Sequence, residues 1–295
     1  MDILSQYSEC RLCARGCGVD RTSGKVGFCR STDEMRITRA ALHYWEEPII
    51  SGTRGSGTIF FSGCSLGCVF CQNAKISRSA VGTAVTPDAL ATEMLRLEDE
   101  GAHNINLVTP THFVPGIIEA IRIARSRGLS IPMVYNTGSY DTAKNVSMLD
   151  GLVDVYLPDL KYYRPESAEK LSCAKDYPTV ARAAIAEMVR QHPTPVIEQG
   201  IMRSGVIVRV LLLPSHVAEA KLSVKYLYET YGDNVYISLM NQYTPMPGML
   251  SPLDRTVTNA EYSELVSYAE RIGVVNAFIQ EGGTQSESFI PEFST

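Results

Sequence analysis

Basic charge is in short supply. Lys and Arg number 27 against 32 Asp and Glu, a formal charge of -5 over 295 residues. That balance excludes the strongly cationic surface that grips nucleic acid. Long hydrophobic runs are missing too. The most apolar stretch, 206–213, is broken by Arg209 and falls far short of a membrane span. The opening Met-Asp-Ile-Leu-Ser-Gln-Tyr-Ser-Glu-Cys has no basic region followed by an apolar core, so no secretory signal is expected. Neither a solenoid-length repeat nor a low-complexity segment is present. What remains is an ordinary globular composition, 45% hydrophobic and 20% charged. The length suits one α/β barrel or two smaller domains.

The eight cysteines are clustered rather than scattered. Cys10, Cys13, Cys17 and Cys29 form one group, Cys64, Cys68 and Cys71 another, and Cys173 stands alone. Clustering of this kind points to metal binding in a reducing cytoplasm, not to a disulfide framework. The second group lies in Phe-Ser-Gly-Cys-Ser-Leu-Gly-Cys-Val-Phe-Cys-Gln-Asn, directly after an apolar strand. Three thiolates at C-x3-C-x2-C spacing can hold three irons of a cubane and leave the fourth open. An open metal position marks a catalytic site, whereas closed structural sites use four protein ligands. The competing reading is zinc with a distant fourth ligand.

The first group follows C-x2-C-x3-C-x11-C, with glycines between its members that permit tight turns. Four ligands suit a closed site, and thiolates suit either zinc or a second iron–sulfur cluster. Zinc would staple a segment with little core of its own; a cluster would relay electrons. Cys173 reads as a lone thiol, with no histidine or second cysteine beside it.

Residues 1–55 read as an irregular four-cysteine module. From Gly57 onward, strand-like runs alternate with helical stretches. Strands are expected at 58–62, 105–109, 133–136, 153–157, 206–213, 235–240 and 275–279. Helices are expected at 87–100, 115–127, 142–149, 177–191, 217–230 and 259–271. Such alternation predicts a parallel α/β sheet or barrel. Parallel strands with helical crossovers place ligands at their carboxyl ends. Polar residues recur there: Thr109, Thr111 and His112; Asn136 and Thr137; Asp159 and Lys161; Ser215 and His216; Asn241, Gln242 and Tyr243. They outline one polar cavity beside the cysteine loop.

With Phe70 directly before its third cysteine, that loop resembles the cluster loop of radical S-adenosylmethionine (SAM) enzymes. Further segments narrow the likeness: Leu-Val-Thr-Pro-Thr-His from Leu107, Tyr-Asn-Thr-Gly from Tyr135, and Asp-Val-Tyr-Leu-Pro-Asp-Leu-Lys-Tyr from Asp154. Ser-Leu-Met-Asn-Gln-Tyr-Thr-Pro from Ser238, Phe-Ile-Pro-Glu-Phe from Phe289 and Cys-Arg-Leu-Cys-Ala-Arg-Gly-Cys-Gly-Val from Cys10 extend it. Together they resemble the uncharacterised radical SAM homologues of pyruvate formate-lyase activating enzyme.

The resemblance implies an incomplete (β/α)6 barrel over 56–295, with a C-terminal extension and SAM at its open top. It implies a [4Fe–4S] cluster on Cys64, Cys68 and Cys71 that cleaves SAM reductively, and a 5′-deoxyadenosyl radical that takes hydrogen from a substrate. Phe70 would face the adenine, and Asn136 and Thr137 the ribose or carboxylate. Gln242 is a further cofactor-side candidate at a strand end. The activating enzymes carry Gly-Gly-Glu after their second strand, to bind the SAM amino group. Here Thr109-Pro110-Thr111-His112 stands in its place, so Thr hydroxyls or backbone carbonyls would accept those hydrogen bonds. Asp159 and Lys161 retain the Asp-Leu-Lys motif and, with His112, are the catalytic candidates. Arg209 would reach a SAM carboxylate or pair with a barrel acid.

The implied partners are SAM, a protein, peptide or small-molecule substrate, and an electron donor such as flavodoxin or ferredoxin. No nucleic acid or membrane is expected, and the expected compartment is the cytoplasm. The readings in competition are glycyl-radical activation of a partner protein, radical modification of a small molecule or peptide, and a non-enzymatic iron–sulfur or zinc protein.

Overall fold

The computed structural model describes residues 3–280, so the Phe-Ile-Pro-Glu-Phe stretch from Phe289 lies outside the described residues. One sheet organises the chain. Its strands are β1 (Met35–His43), β2 (Ser56–Phe61), β3 (Thr83–Val85), β4 (Ile105–Val108), β5 (Met133–Thr137), β6 (Val155–Pro158), β7 (Val196–Glu198), β8 (Ile201–Leu211), β9 (Tyr236–Met240) and β10 (Ala277–Ile279). The order is β10-β9-β8-β6-β5-β4-β2-β1-β3, with β7 attached to β8. From β2 through β10 along this path every pairing is parallel. β1 is antiparallel to both β2 and β3, and no pairing joins the ends β3 and β10 among the described residues. The barrel is therefore open, the incomplete α/β architecture expected.

The helices are α1 (Pro48–Ser51), α2 (Ala74–Ser77), α3 (Pro87–Asp99), α4 (Val114–Ser126), α5 (Ala143–Ser147), α6 (Pro165–Ser172), α7 (Tyr177–Gln191), α8 (Val217–Tyr231) and α9 (Asn259–Ile272). Local chemistry sets several starts. Thr86 caps α3 by accepting from Ala89 N–H, with Pro87 in the first turn where its missing N–H costs nothing. Thr258 and Glu261 form a reciprocal capping box on α9.

The period of two along each strand sorts its side chains. Ile59, Phe61, Ile105, Leu107 and Met133 pack outward against α3 and α4 in one apolar cluster. Tyr135, Tyr156, Val206, Val208, Ile237 and Leu239 join a larger cluster with α5–α9. The alternate residues Val134, Val155, Leu157 and Ile207 face inward and pack with Ile50 of α1, which plugs the floor of the barrel. Above that plug, the same inward rows carry Asn136, Arg209 and Leu211.

The structure departs from the sequence expectation in three further respects. Residues 1–55 are not wholly irregular, because β1 is part of the barrel sheet. Its half-buried residues and interspersed Arg36 and Arg39 hide a strand pattern, as befits a strand near the sheet edge. β8 starts at Ile201, since its first half forms a hairpin with β7 that the 206–213 apolar run does not reveal. The short α6 also escaped notice. No helix among the described residues is long and apolar enough to cross a membrane.

Glu261 ties the top of the barrel to α9. Its carboxylate pairs with Arg255 at 2.8 Å and accepts from Thr258 N–H and from Ser215 N–H after β8. Arg255 first, then these bonds, hold its carboxyl well below the usual range despite some burial. Unfolding returns the group to about 4.3, so its stabilisation is complete above that pH and fades as pH falls toward the folded value. Glu261→Gln should lower stability by about 1 kcal/mol near neutrality in urea titrations, and the gap should narrow below about pH 4. A gap independent of pH would contradict this account.

Candidate active site

The cysteine loop follows β2 directly. Gly63 and Gly67 bend it at φ +84° and +71°, conformations that side chains rarely adopt. A Cβ at Gly63 would lie 2.5 Å from Cys29 O, and one at Gly67 would lie 3.0 Å from the Phe28 ring. These glycines let the N-terminal module press onto the loop. Arg15 then fixes it from outside: its guanidinium donates to the carbonyls of Ser65, Leu66, Ser172 and Cys173. Arg78 donates to the carbonyls of Cys68 and Val69, and Gln72 to that of Gln242.

Cys64, Cys68 and Cys71 line one wall of a single cavity. Burial, followed by the neighbouring Cys71 and Cys68, pushes the Cys64 thiol up to about 12. A buried thiol of this kind becomes a thiolate when a cation takes the proton's place. Leu66 N–H donates to the Cys64 sulfur at 3.4 Å, and Ser77 Oγ lies 3.3 Å from the Cys71 sulfur. Among the described residues no set of three or more Cys, His, Asp or Glu converges as the ligands of a single ion do. A cubane takes one thiolate per iron, so its ligands stand farther apart than those of one ion. Three soft donors on one loop and backbone N–H groups on the Cys64 sulfur fit a cluster.

Opposite the cysteines, the cavity is walled by strand-end residues. Thr109, Asn136, Thr137, Asp159, Lys161, Arg209, Gln242 and Phe70 all reach it. Lys161 and Asp159 form an ion pair at 2.6 Å, with side chains 18% and 17% exposed. Burial works against the Lys161 ammonium, but Asp159 and then Cys68 more than compensate, and its pKa lies above the ordinary lysine value. Tyr177 threads the pair's backbone, accepting from Lys161 N–H and donating to Asp159 C=O. Phe70 stands edge-on to Tyr162 and Tyr243, at 6.3 and 6.2 Å between ring centres. Thr109 holds φ +59°, an outlier for a β-branched residue.

Two expected site residues do not reach the cavity. After β4 the chain enters a 3-10 turn, Thr111–Phe113, that carries them away from it. Thr111 joins a buried network in which Asp141 accepts from Thr111, Thr137, Tyr135 and Asn145. His112 is 1% exposed, and its Nε2 lies 2.8 Å from Ser62 O. Burial and then Arg21 lower its pKa to about 3, so the ring is neutral. It packs between the N-terminal module and β2, away from the residues that line the cavity. His216 likewise bonds locally, to Pro214 O.

Arg209 reaches the cavity but is committed to barrel acids. It pairs with Glu46 and with Glu47, the latter at 3.0 Å. Glu46 also accepts from Asn106 and Asn136. These acids belong to the segment after β1, which brings His43, Trp45 and Glu46 to the cavity as well. Sequence reasoning missed them. The available signal was Arg209 itself, a cation in an apolar strand that required an acid somewhere.

The four N-terminal cysteines lie near enough to one another for Cys29, Cys10 and Cys17 all to act on Cys13. Cys10 and Cys29 are buried, Cys13 is half-buried and Cys17 is exposed. Burial, then Cys29, Cys10 and Cys17, push the Cys13 thiol up to about 12 against a backbone bond that lowers it. Phe28 N–H donates to the Cys17 sulfur at 3.4 Å, and the fully buried Arg21 reaches the Cys10 sulfur at 3.6 Å.

Residues 58–203 match the family model of the radical SAM superfamily. The chain carries a radical SAM domain over those residues, which implies a [4Fe–4S] cluster and SAM. The link to pyruvate formate-lyase activating enzyme is not established by these matches. An uncharacterised protein of Methanocaldococcus jannaschii is 28% identical over 276 residues, 90% of this chain and 75% of its own length. Among solved structures, a radical SAM methyltransferase from Sphaerobacter thermophilus aligns with TM-score 0.54 at 16% identity, covering 78% of this chain and 67% of that one. Streptococcus suis SuiB, bound to the precursor peptide SuiA, aligns with TM-score 0.52 at 13% identity, over 75% and 47%. The chain spans 57% of anSMEcpe, solved with AdoMet and a peptide, at TM-score 0.52 and 13% identity. These likenesses establish the shared fold.

Arg209→Met should destabilise the protein by about 3–5 kcal/mol in urea unfolding, because it strands two buried carboxylates. Combining it with Glu46→Gln and Glu47→Gln should recover most of that loss. If the triple variant is no more stable than Arg209→Met, the ion cluster is not what holds this part of the barrel.

Proposed function

We propose that this chain is a radical SAM enzyme acting on a peptide, protein or small molecule, with Cys64, Cys68 and Cys71 as ligands of its reactive cluster. The observation that carries this reading is the convergence of three thiols, that of Cys68 buried and those of Cys64 and Cys71 half-buried, and the strand-end residues on one cavity. Cys64, Cys68 and Cys71 would hold a [4Fe–4S] cluster, which would supply the electron for reductive cleavage of SAM to methionine and a 5′-deoxyadenosyl radical able to abstract hydrogen from substrate. The protein's own part is to bind, orient and exclude water. Phe70 offers an aromatic face for adenine, held edge-on by Tyr162 and Tyr243. Asn136, Gln242 and the Thr109 hydroxyl offer hydrogen bonds to the polar parts of SAM, and Thr137, whose hydroxyl donates to Asp141, lines the cavity beside them. Lys161 is positioned to pair with a carboxylate of SAM or substrate, and Asp159 with an amine or hydroxyl.

Glycyl-radical activation of a partner protein is one form this reaction could take; the retained Asp159-Leu160-Lys161 supports it. Modification of a peptide or small molecule is the other, supported by Thr109 and by Trp45 at the cavity wall. The electron comes from a carrier of the flavodoxin or ferredoxin kind. Cys10, Cys13, Cys17 and Cys29 hold a second metal, zinc or an iron–sulfur cluster, within the N-terminal module, and the cytoplasm is the compartment that suits both sites.

Anaerobically reconstituted protein reduced with dithionite should release 5′-deoxyadenosine from SAM. Cys64→Ala, Cys68→Ala and Cys71→Ala should each abolish this while circular dichroism stays native. Cleavage retained in all three would sink the assignment. Metal analysis of the triple cysteine variant reads the other site directly. About four irons per chain would identify a second cluster there and about one zinc a structural ion. No bound metal would refute that site.

A further inference from the structure

Positive charge is segregated in this acidic chain. At the tip of the four-cysteine module Lys25 and Arg30 are both exposed, while the whole chain carries -5; Arg11 is paired with Glu9 and Arg21 is buried, so these two are the cations the tip presents. Asp20 is occupied by Thr22, whose backbone N–H and hydroxyl it accepts. The tip of the same segment exposes apolar surface, with Val26 50% and Phe28 45% accessible. Large apolar side chains left open beside cations mark a contact surface.

What lies beneath that surface gives it a purpose. The Arg15 guanidinium stacks 3.8 Å from the Phe28 ring centre and bonds the carbonyls of Ser65 and Leu66, inside the Cys64–Cys68 turn. Phe28 also covers Gly67, and the Cys29 carbonyl abuts Gly63. A protein seated on Phe28 is therefore one side chain away from the cysteine loop, a short path for an electron.

We propose that the tip of the four-cysteine module, centred on Lys25, Val26, Phe28 and Arg30, docks an acidic protein that delivers single electrons to the loop of Cys64, Cys68 and Cys71. The inference rests on the radical SAM reading for the identity of the acceptor. One electron leaves the carrier and one enters the reactive cluster; no bond is made or broken at the interface. The charge segregation selects an acidic partner and steers its approach.

The test uses reconstituted full-length protein and, as probe, a bacterial flavodoxin reduced to its hydroquinone. Stopped-flow bleaching of the iron–sulfur absorbance gives the bimolecular rate. Lys25→Glu/Arg30→Glu should slow reduction about tenfold or more at low ionic strength, and added salt should erase the difference. Lys25→Glu/Val26→Glu should do the same without touching the Arg30 bond to Arg78 O. Lys225→Glu/Arg271→Glu, an equal charge change on α8 and α9, should stay within about twofold of wild type. Photoreduced deazaflavin, a small reductant, should reduce every variant at the wild-type rate. Unchanged flavodoxin rates in both tip variants would overturn the proposal and leave a protein substrate as the occupant of the patch. An equal effect of the α8/α9 variant, or an equal loss with deazaflavin, would overturn it too. Deazaflavin-driven SAM cleavage by wild type reports separately on the parent reading, whose failure leaves the docking kinetics interpretable.

Discussion

A guanidinium held on the inner face of a parallel sheet sets the terms for this barrel. Arg209 faces inward because the period of two along β8 leaves it no other direction, and a cation there is tolerable only when paired. Its acids, Glu46 and Glu47, arrive from the opposite edge of the sheet, 163 and 162 residues away in sequence. The demand for them draws the segment after β1 across the inner face. That crossing places α1 as a plug beneath the cavity and His43 and Trp45 on its wall. The floor, the inner charge and one side of the cavity thus share one electrostatic cause.

A second constraint acts at the rim. Burial makes the Cys64 and Cys68 thiols resist ionisation, so their loop must be shaped for a metal before any metal arrives. Backbone carbonyls turned outward by that shape need donors. Arginines supply them: Arg15 takes four carbonyls from two segments, Arg78 takes two, and Arg30 in turn bonds Arg78 O. The N-terminal module is thereby part of the scaffold of the cysteine loop rather than an appendage. Arg21 extends the same logic inward, spending its N–H groups on the carbonyls of Thr32 and His112 beneath the rings of Tyr7 and Phe113.

Much of this was legible from residue order alone, and the failures have a common form. Helix α7 coincides with its expected bounds because its amphipathic pattern is long and begins next to a proline. The cysteine loop, the strand-end polar residues and the open α/β architecture follow from spacing and alternation. β1 was hidden because half-buried residues of an antiparallel strand near the edge need not alternate. His112 and Thr111 were misplaced because chain order puts them at a strand end, while the 3-10 turn that follows β4 decides which of those residues look inward. Glu46, Glu47 and Arg15 were invisible because their partners are remote in sequence. Local pattern reports secondary structure; it is silent on which distant charge a buried charge will find.

Thr109 shows how a site can override a local preference. A β-branched residue at φ +59° costs on the order of 1–3 kcal/mol, and glycine would relieve it. The conformation is held by Thr109 N–H donating to Asn136 O at 2.9 Å and by the turn that opens at Pro110. Ser139 and Ser215 follow β5 and β8 in the same left-handed region, at φ +62° and +63°. Three parallel strands therefore leave the sheet through strained non-glycine residues at the cavity end. Gln199, in the β7–β8 turn at the other end, is left-handed as well, but only at the cavity end do three strand exits hold non-glycine residues against their local preference.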